Sequence, residues 1–299
     1  MQNKNKFNAD FHLHIYTSWI GSFYEAGPRD LKTFTEQFNK RELNAATLTS
    51  FNDNQFDRLM DTSKNLPIDW SIQDSDLGVT VTMPNGEKFY WFNSDEKPTL
   101  QGHFLIVGNK RETTHIKPYR NLEETLEEAK QNSAMLIANH PMLIFSDFRS
   151  TGIGEKNLRK YKNHFTAGEI NGNAIPLLFS KANENAKKIC NEIGLPLIAN
   201  SDAYGITCPL IKIPSSFIFS NIGKTYTEFK RDNLNPSSIE SLLNSFKSEI
   251  EKNNTRLILR KEYGNNTPSV LYHVAMALFY TYGRKLPFLK IHHHTSRRE

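Results

Sequence analysis

Ala9-Asp10-Phe11-His12-Leu13-His14-Ile15 places two histidines two residues apart inside an apolar run. In an extended strand residues i and i+2 share a face, so His12 and His14 converge on one point. Burying two imidazoles side by side is costly unless something pairs with them, and a metal ion is the usual partner. His-x-His also arises by chance. Its meaning therefore depends on what other stretches bring to the same place.

Working outward, strands alternate with helices. Residues 7–14 read as a strand, Pro28-Arg29-Asp30-Leu31 as the opening of a helix that runs to about Lys40, and Asn44 to Leu48 as a strand. Phe56 to Lys64 reads as a helix, and Val79–Thr82 with Lys88–Phe92 as a hairpin about Pro84-Asn85-Gly86. Further strands are expected at Gly102–Gly108, Ala134–Asn139, Ala167–Asn171 and Pro196–Asn200. Helices are expected at Leu122–Gln131, Glu155–Tyr161, Phe179–Ile193 and Asn235–Glu251, the last with Pro236 in its first turn. This alternation argues for an α/β fold with a largely parallel sheet, whose site forms at the carboxyl ends of the strands. His14, His140 and Asp202 each fall at such an end. Each has a bland alternative: a core histidine bonded to a carbonyl, or a turn-capping aspartate. That all of them sit at strand ends of one chain favours a site.

The chain has 299 residues, enough for one large barrel or a domain with an appendage. No apolar run is long enough to span a bilayer, and the N-terminal residues lack the apolar core of a signal peptide. Cys190 and Cys208 are too few for a disulfide framework or a zinc knuckle, so a cytoplasmic location is expected. The net charge of +5 is spread along the chain with no nucleic-acid motif. There is no phosphate-cradling G-x-x-x-x-G-K-[ST] loop and no G-x-S-x-G elbow.

The ordered motifs resemble the PHP (polymerase and histidinol phosphatase) family of metal-dependent phosphoesterases. Asp10-Phe11-His12-Leu13-His14 is similar to its opening D-x-H-x-H, and Asn139-His140-Pro141 to its middle His-Pro. Gly168-Glu169-Ile170-Asn171-Gly172 is similar to the segment that follows, and Ser201-Asp202-Ala203-Tyr204 to the closing S-D-A-H. Ile222-Gly223-Lys224-Thr225-Tyr226-Thr227 resembles a later Gly-x-x-Tyr-Thr stretch. The resemblance implies a distorted (β/α)7-type barrel over residues 1–252, followed by a C-terminal helical extension and tail over 253–299. It implies His12, His14 and Asp202 on a first metal and His103 with His140 on a second, with His12, His14, His140 and Asp202 as the catalytic set. A glutamate should bridge the two metals. Glu87 in Gly86-Glu87 is one candidate, while alignment on Gly78-Val79-Thr80 leaves no glutamate at all. Glu169 reads as a residue supporting the ligands.

Two family ligands are replaced. Where the family has Thr-Asp-His this chain reads Thr49-Ser50-Phe51, and the last residue of S-D-A-H is Tyr204. One or two divalent ions are therefore expected, with a third site lost. Zinc, manganese or iron suits His/Asp ligation better than calcium. The implied activity is hydrolysis of a phosphate mono- or diester by metal-activated water, with Lys110, Arg111 and Arg149 as candidate phosphate binders. The expected partner is a phosphorylated small molecule or nucleotide, ahead of nucleic acid. The alternative is a degenerate barrel with less metal that serves as a binding or regulatory module. The apolar segment 271–282 packs on the barrel or forms a dimer contact.

Overall fold

The structure is a computed structural model, and it describes residues 5–14, 30–50, 55–110, 116–143, 152–172, 181–204 and 222–259. The strands are β1 (Lys6–Asp10), β2 (Leu13–His14), β3 (Ala45–Ser50), β4 (Ser71–Ser75), β5 (Gly78–Thr82), β6 (Lys88–Thr99), β7 (Gly102–Asn109), β8 (Ser133–Ala138), β9 (Ala167–Asn171), β10 (Leu197–Asn200), β11 (Ala203–Tyr204), β12 (Thr225–Lys230) and β13 (Arg256–Leu259). The helices are α1 (Leu31–Lys40), α2 (Gln55–Met60), α3 (Leu122–Asn132), α4 (Gly154–Tyr161), α5 (Ala182–Ile193) and α6 (Ile239–Glu251).

Central strands such as β6 and β7 are apolar on both faces because each face has its own core. In β7, Leu105 and Val107 point to one cluster while Phe104 and Ile106 point to another. In β6, Tyr90 and Phe92 share the first cluster while Phe89 and Trp91 face a third. The shared cluster draws on β1, β3, β6, β7, β8, β9, β10 and β12 together with α6, so it is the barrel interior. The other two lie under the outer helices, α1 and α2 on one side and α3, α4 and α5 on the other. Period-two alternation thus survives in sequence as near-continuous apolar runs.

The sheet order is β10-β9-β8-β7-β6-β3-β1-β12-β13, with β5 and β4 added beside β6. Pairs β1–β3, β3–β6, β8–β9 and β9–β10 are parallel. β7 is antiparallel to both neighbours, and β12 to β1 and β13. The sheet is a nearly closed, barrel-shaped one, as expected, but less uniformly parallel. β13 carries it past residue 252, and segment 271–282 lies outside the described residues.

Side chains close the barrel seam in place of a ladder. Ala199 N–H donates to Thr227 Oγ1 at 2.9 Å, and that hydroxyl donates to Ala199 O at 3.0 Å, joining β10 to β12. Further along, Asn200 Oδ1 accepts from Phe11 N–H at 2.9 Å and Asp10 Oδ1 from Ser201 N–H at 3.1 Å. Beyond them β2 and β11 form a short parallel pair, Leu13 against Ala203. The break after Asp10 divides the single predicted strand 7–14 in two. It turns His12 and His14 toward Asp202.

α6 plugs the opposite end. Its residues Ile239, Leu242, Leu243, Phe246 and Ile250 recur at helical spacing and are buried. The cap is Ser238, whose hydroxyl accepts from Ser241 N–H at 3.1 Å, so the helix starts after Pro236 instead of at it. Gly108 has φ +67°, and a Cβ there would stand 2.7 Å from Leu243 Cδ1. Glycine is what lets β7 end against the plug. Among the described residues no helix is long and apolar enough to cross a membrane.

Candidate metal centre

β1, β3, β6, β8, β9 and β10 all end on one side of the barrel, and β7 starts there because it runs the other way. His12 and His14 follow β1, Glu96 lies near the end of β6, and His103 near the start of β7. His140 and Asp202 follow β8 and β10. All six are buried. His140 and Asp202 have φ values of +29° and +48°, which L-residues rarely adopt. Specific bonds hold them there: His140 N–H donates to Glu169 Oε2 at 2.7 Å, and Asp202 N–H to His12 O at 2.8 Å. Gly152 packs on the same corner, where a Cβ would lie 2.2 Å from His140 O.

Four donor atoms converge. His12 Nε2 is 3.1 Å from His14 Nε2, 3.3 Å from Asp202 Oδ1 and 3.7 Å from Glu96 Oε2. His14 Nε2 is 3.1 Å from Glu96 Oε2 and 3.8 Å from Asp202 Oδ1. Ligands held about 2.0–2.2 Å from one ion lie roughly 3–3.6 Å from each other. These separations are close to those within a coordination shell, and His12 belongs to both donor groups, one with His14 and Glu96 and one with His140 and Asp202. A ring nitrogen of His140 also lies within 4.8 Å of donor atoms on His12 and Asp202.

The outer bonds fix which nitrogens face inward. His14 Nδ1 is 3.0 Å from Thr49 O, which can only accept, so Nδ1 carries the proton and Nε2 presents a lone pair. His12 Nδ1 meets Glu169 Oε1 at 2.9 Å, with the same result for a neutral ring. Two lone pairs facing each other at 3.1 Å require a cation or a proton between them. His140 Nδ1 is buried with no hydrogen-bond partner among the described residues. The residues present therefore fit a divalent ion. Glu169 supports the arrangement from behind, and Asn200 and Asn171 donate to its two oxygens at 2.9 and 3.1 Å. Asn171 also holds Asp202 Oδ2 at 2.9 Å. Such carboxylate-bonded histidines are characteristic of metal sites.

Electrostatics agree. Burial pushes His12 down, but the Asp202 and Glu169 carboxylates outweigh it and hold the ring well above the ordinary 6.5. Burial also opposes the charge on His140, which Glu96, Asp202 and Glu169 nevertheless raise above 6.5. Burial raises Glu96, yet bonds from His103, His12, His14 and His140 carry it well below 4.5. Burial lifts Asp10 from 3.8 to about 7 against bonds from Ser201. In metal-free protein these raised groups bind more protons folded than unfolded, so stability falls as pH rises. Asp10 contributes that loss between 3.8 and about 7, and the two histidines above 6.5. Metal binding must displace the histidine protons, so it strengthens over the same upper interval. Melting curves from pH 6 to 9 should therefore slope downward for stripped protein and upward for metal-loaded protein. Parallel slopes would contradict a metal bound at these histidines.

Of the sequence-derived residues, His12, His14, His103, His140 and Asp202 are brought together. Glu87 is not. It lies exposed on the β5–β6 turn, where its carboxylate accepts from Asn39 and Asn85 at 2.9 and 3.0 Å. Glu96 stands where the bridging glutamate was expected, because β6 runs on to Thr99 instead of ending at Phe92. The polar run Asn93-Ser94-Asp95-Glu96-Lys97 hid that extension. The remaining signal was the tight turn at Leu100-Gln101, which pairs Glu96 with Leu105 two residues past His103. Lys110 is exposed at the far end of β7, seven residues and about 23 Å of extended strand from His103. A strand end marks the site only for strands of the parallel set, and β7 is antiparallel. Arg111, Arg149 and Phe51 lie outside the described residues.

Fold and site together define an α/β barrel with a candidate divalent-metal centre. Neither a family model nor a curated protein matches the sequence. In fold the chain is similar to the crystal structure of PsfC from Pseudomonas syringae PB-5123, with TM-score 0.58 and 16% identity, covering 91% of this chain and 99% of that one. It is also similar to a two-domain protein from Bacteroides vulgatus ATCC 8482 containing a predicted PHP-like metal-dependent phosphoesterase. There the TM-score is 0.51 and the identity 14%, over 85% of this chain and 65% of that one. At these identities the likeness is one of fold alone.

Proposed function

We propose that this protein is a metal-dependent phosphoesterase acting on a small phosphorylated molecule. The observation that supports it most is the spacing of His12 Nε2, His14 Nε2, Glu96 Oε2 and Asp202 Oδ1, which suits one ion's ligands at the carboxyl ends of barrel strands. These four would hold the ion, with His140 in reach. A bound zinc, manganese or iron ion would acidify a water and polarise a phosphoryl oxygen. The chain's own part is to keep the site ready. Thr49 and Glu169 fix the two imidazoles, Asn171 fixes Asp202, and the buried surroundings strengthen every charge interaction there.

The test uses the full chain, loaded in turn with each of the three metals, and the His14→Ala variant. Both are assayed on p-nitrophenyl phosphate and on the bis-ester. Metal-dependent hydrolysis that falls at least about a hundredfold in the variant is expected. The variant also subtracts any metal held by His292-His293-His294, which the substitution leaves in place. Metal that binds at His14 without hydrolysis of either ester would favour the binding-module reading. A chain that takes up no His14-dependent metal would overturn both.

A further inference from the structure

Glu96 presents its two oxygens to different surroundings. Oε2 faces His12 and His14, while Oε1 is 3.1 Å from His103 Nδ1 and 3.2 Å from His140 Nε2. A second ion bridged by Glu96 would have to bind Oε1 between those two rings. That wedge is filled. Asn139 Nδ2 lies 2.6 Å from Glu96 Oε1 and 3.1 Å from His140 Nε2. We propose that the centre takes one divalent ion, and that the Asn139 carboxamide stands in for a second one between Glu96, His103 and His140. This rests on the metal-centre reading above.

Three observations carry the inference. The amide nitrogen donates to Glu96 Oε1 and lies 3.1 Å from His140 Nε2, so it occupies the position from which an ion would reach both. The reverse orientation would set Asn139 Oδ1 against a carboxylate oxygen at 2.6 Å, acceptor against acceptor. The observed one leaves Oδ1 buried without a hydrogen-bond partner, so bonding to Glu96 decides the orientation. Finally, among the described residues, the two groups of three His, Asp or Glu side chains whose ligand atoms lie mutually within 4.8 Å both contain His12, and neither contains His103. His103 then acts as a positioning residue. With Asn139 it holds Oε1 so that Oε2 points at the ion.

The experiment measures manganese per chain by mass spectrometry, with low-temperature EPR to separate isolated from spin-coupled ions. Wild type, Asn139→Asp and Asn139→Ala are compared as full chains, all carrying His292→Ala, His293→Ala and His294→Ala. One isolated ion in wild type is expected, with a doubling to a spin-coupled pair in at least one variant. The aspartate supplies a ligand where the amide nitrogen was, and the alanine vacates the wedge if the aspartate prevents folding. Two ions in wild type would overturn the proposal and leave the phosphoesterase reading standing. One ion in wild type and in every folded variant would overturn the role of Asn139. No ion in wild type would overturn both.

Discussion

Glu96→Ala is expected to abolish metal binding and with it hydrolysis, whereas Glu87→Ala should change neither. The Glu96 carboxylate bonds to His14, His103 and His140 and lies 3.7 Å from His12. Removing it deletes a proposed ligand and the anion around which the four imidazoles are arranged. Loss of groups that merely support metal ligands costs about 10–100-fold in affinity, so losing a ligand should cost more than about a hundredfold. Glu96→Gln keeps the shape but not the charge, and should fail nearly as badly. Glu87 is exposed and its carboxylate accepts from Asn39 and Asn85, so its loss should alter stability by less than about 0.5 kcal/mol. Metal content by mass spectrometry decides between the two glutamates. Retained metal in Glu96→Ala, or its loss in Glu87→Ala, would return the ligand role to the turn.

The second large effect is expected at the other end of the barrel. Phe246 is fully buried, with ring centroids 5.5 Å from Phe7, 5.3 Å from Phe11, 6.0 Å from Phe92 and 4.6 Å from Phe229. It joins α6 to β1, β6 and β12, so no single strand can relax to fill its place. Phe246→Ala should cost about 3–5 kcal/mol. Against a typical stability of about 5–15 kcal/mol that is a large fraction. It should lower the melting temperature by on the order of 10 °C. The candidate metal centre lies across the barrel, so below the transition the variant should keep the wild-type metal content. A shift of only a degree or two would mean that α6 does not plug the barrel.

Much of this was legible in the sequence, for local reasons. The central cores of most strands and helices follow from apolar runs and helical periodicity, although α1 starts at Leu31, capped by Asp30, which accepts from Thr33 N–H at 2.7 Å, and not at Pro28. His12, His14, His140 and Asp202 are visible because imidazoles and carboxylates beside apolar strands are costly without a partner. β12, β13 and β11 were not legible. Their pairing depends on the seam, which Thr227, Asn200 and Asp10 close through side chains from distant segments.

The sequence by itself determined the α/β class and the residue types of a metal centre, since these rest on local pattern and on the cost of burying polar groups. Only the tertiary structure decided which glutamate joins them and at which end Lys110 falls. Both turn on strand direction and strand length: β6 extends to Glu96, and the antiparallel β7 carries His103 toward the site and Lys110 away. Neighbouring strands set direction and length through their ladder hydrogen bonds, and no stretch of the chain encodes those alone.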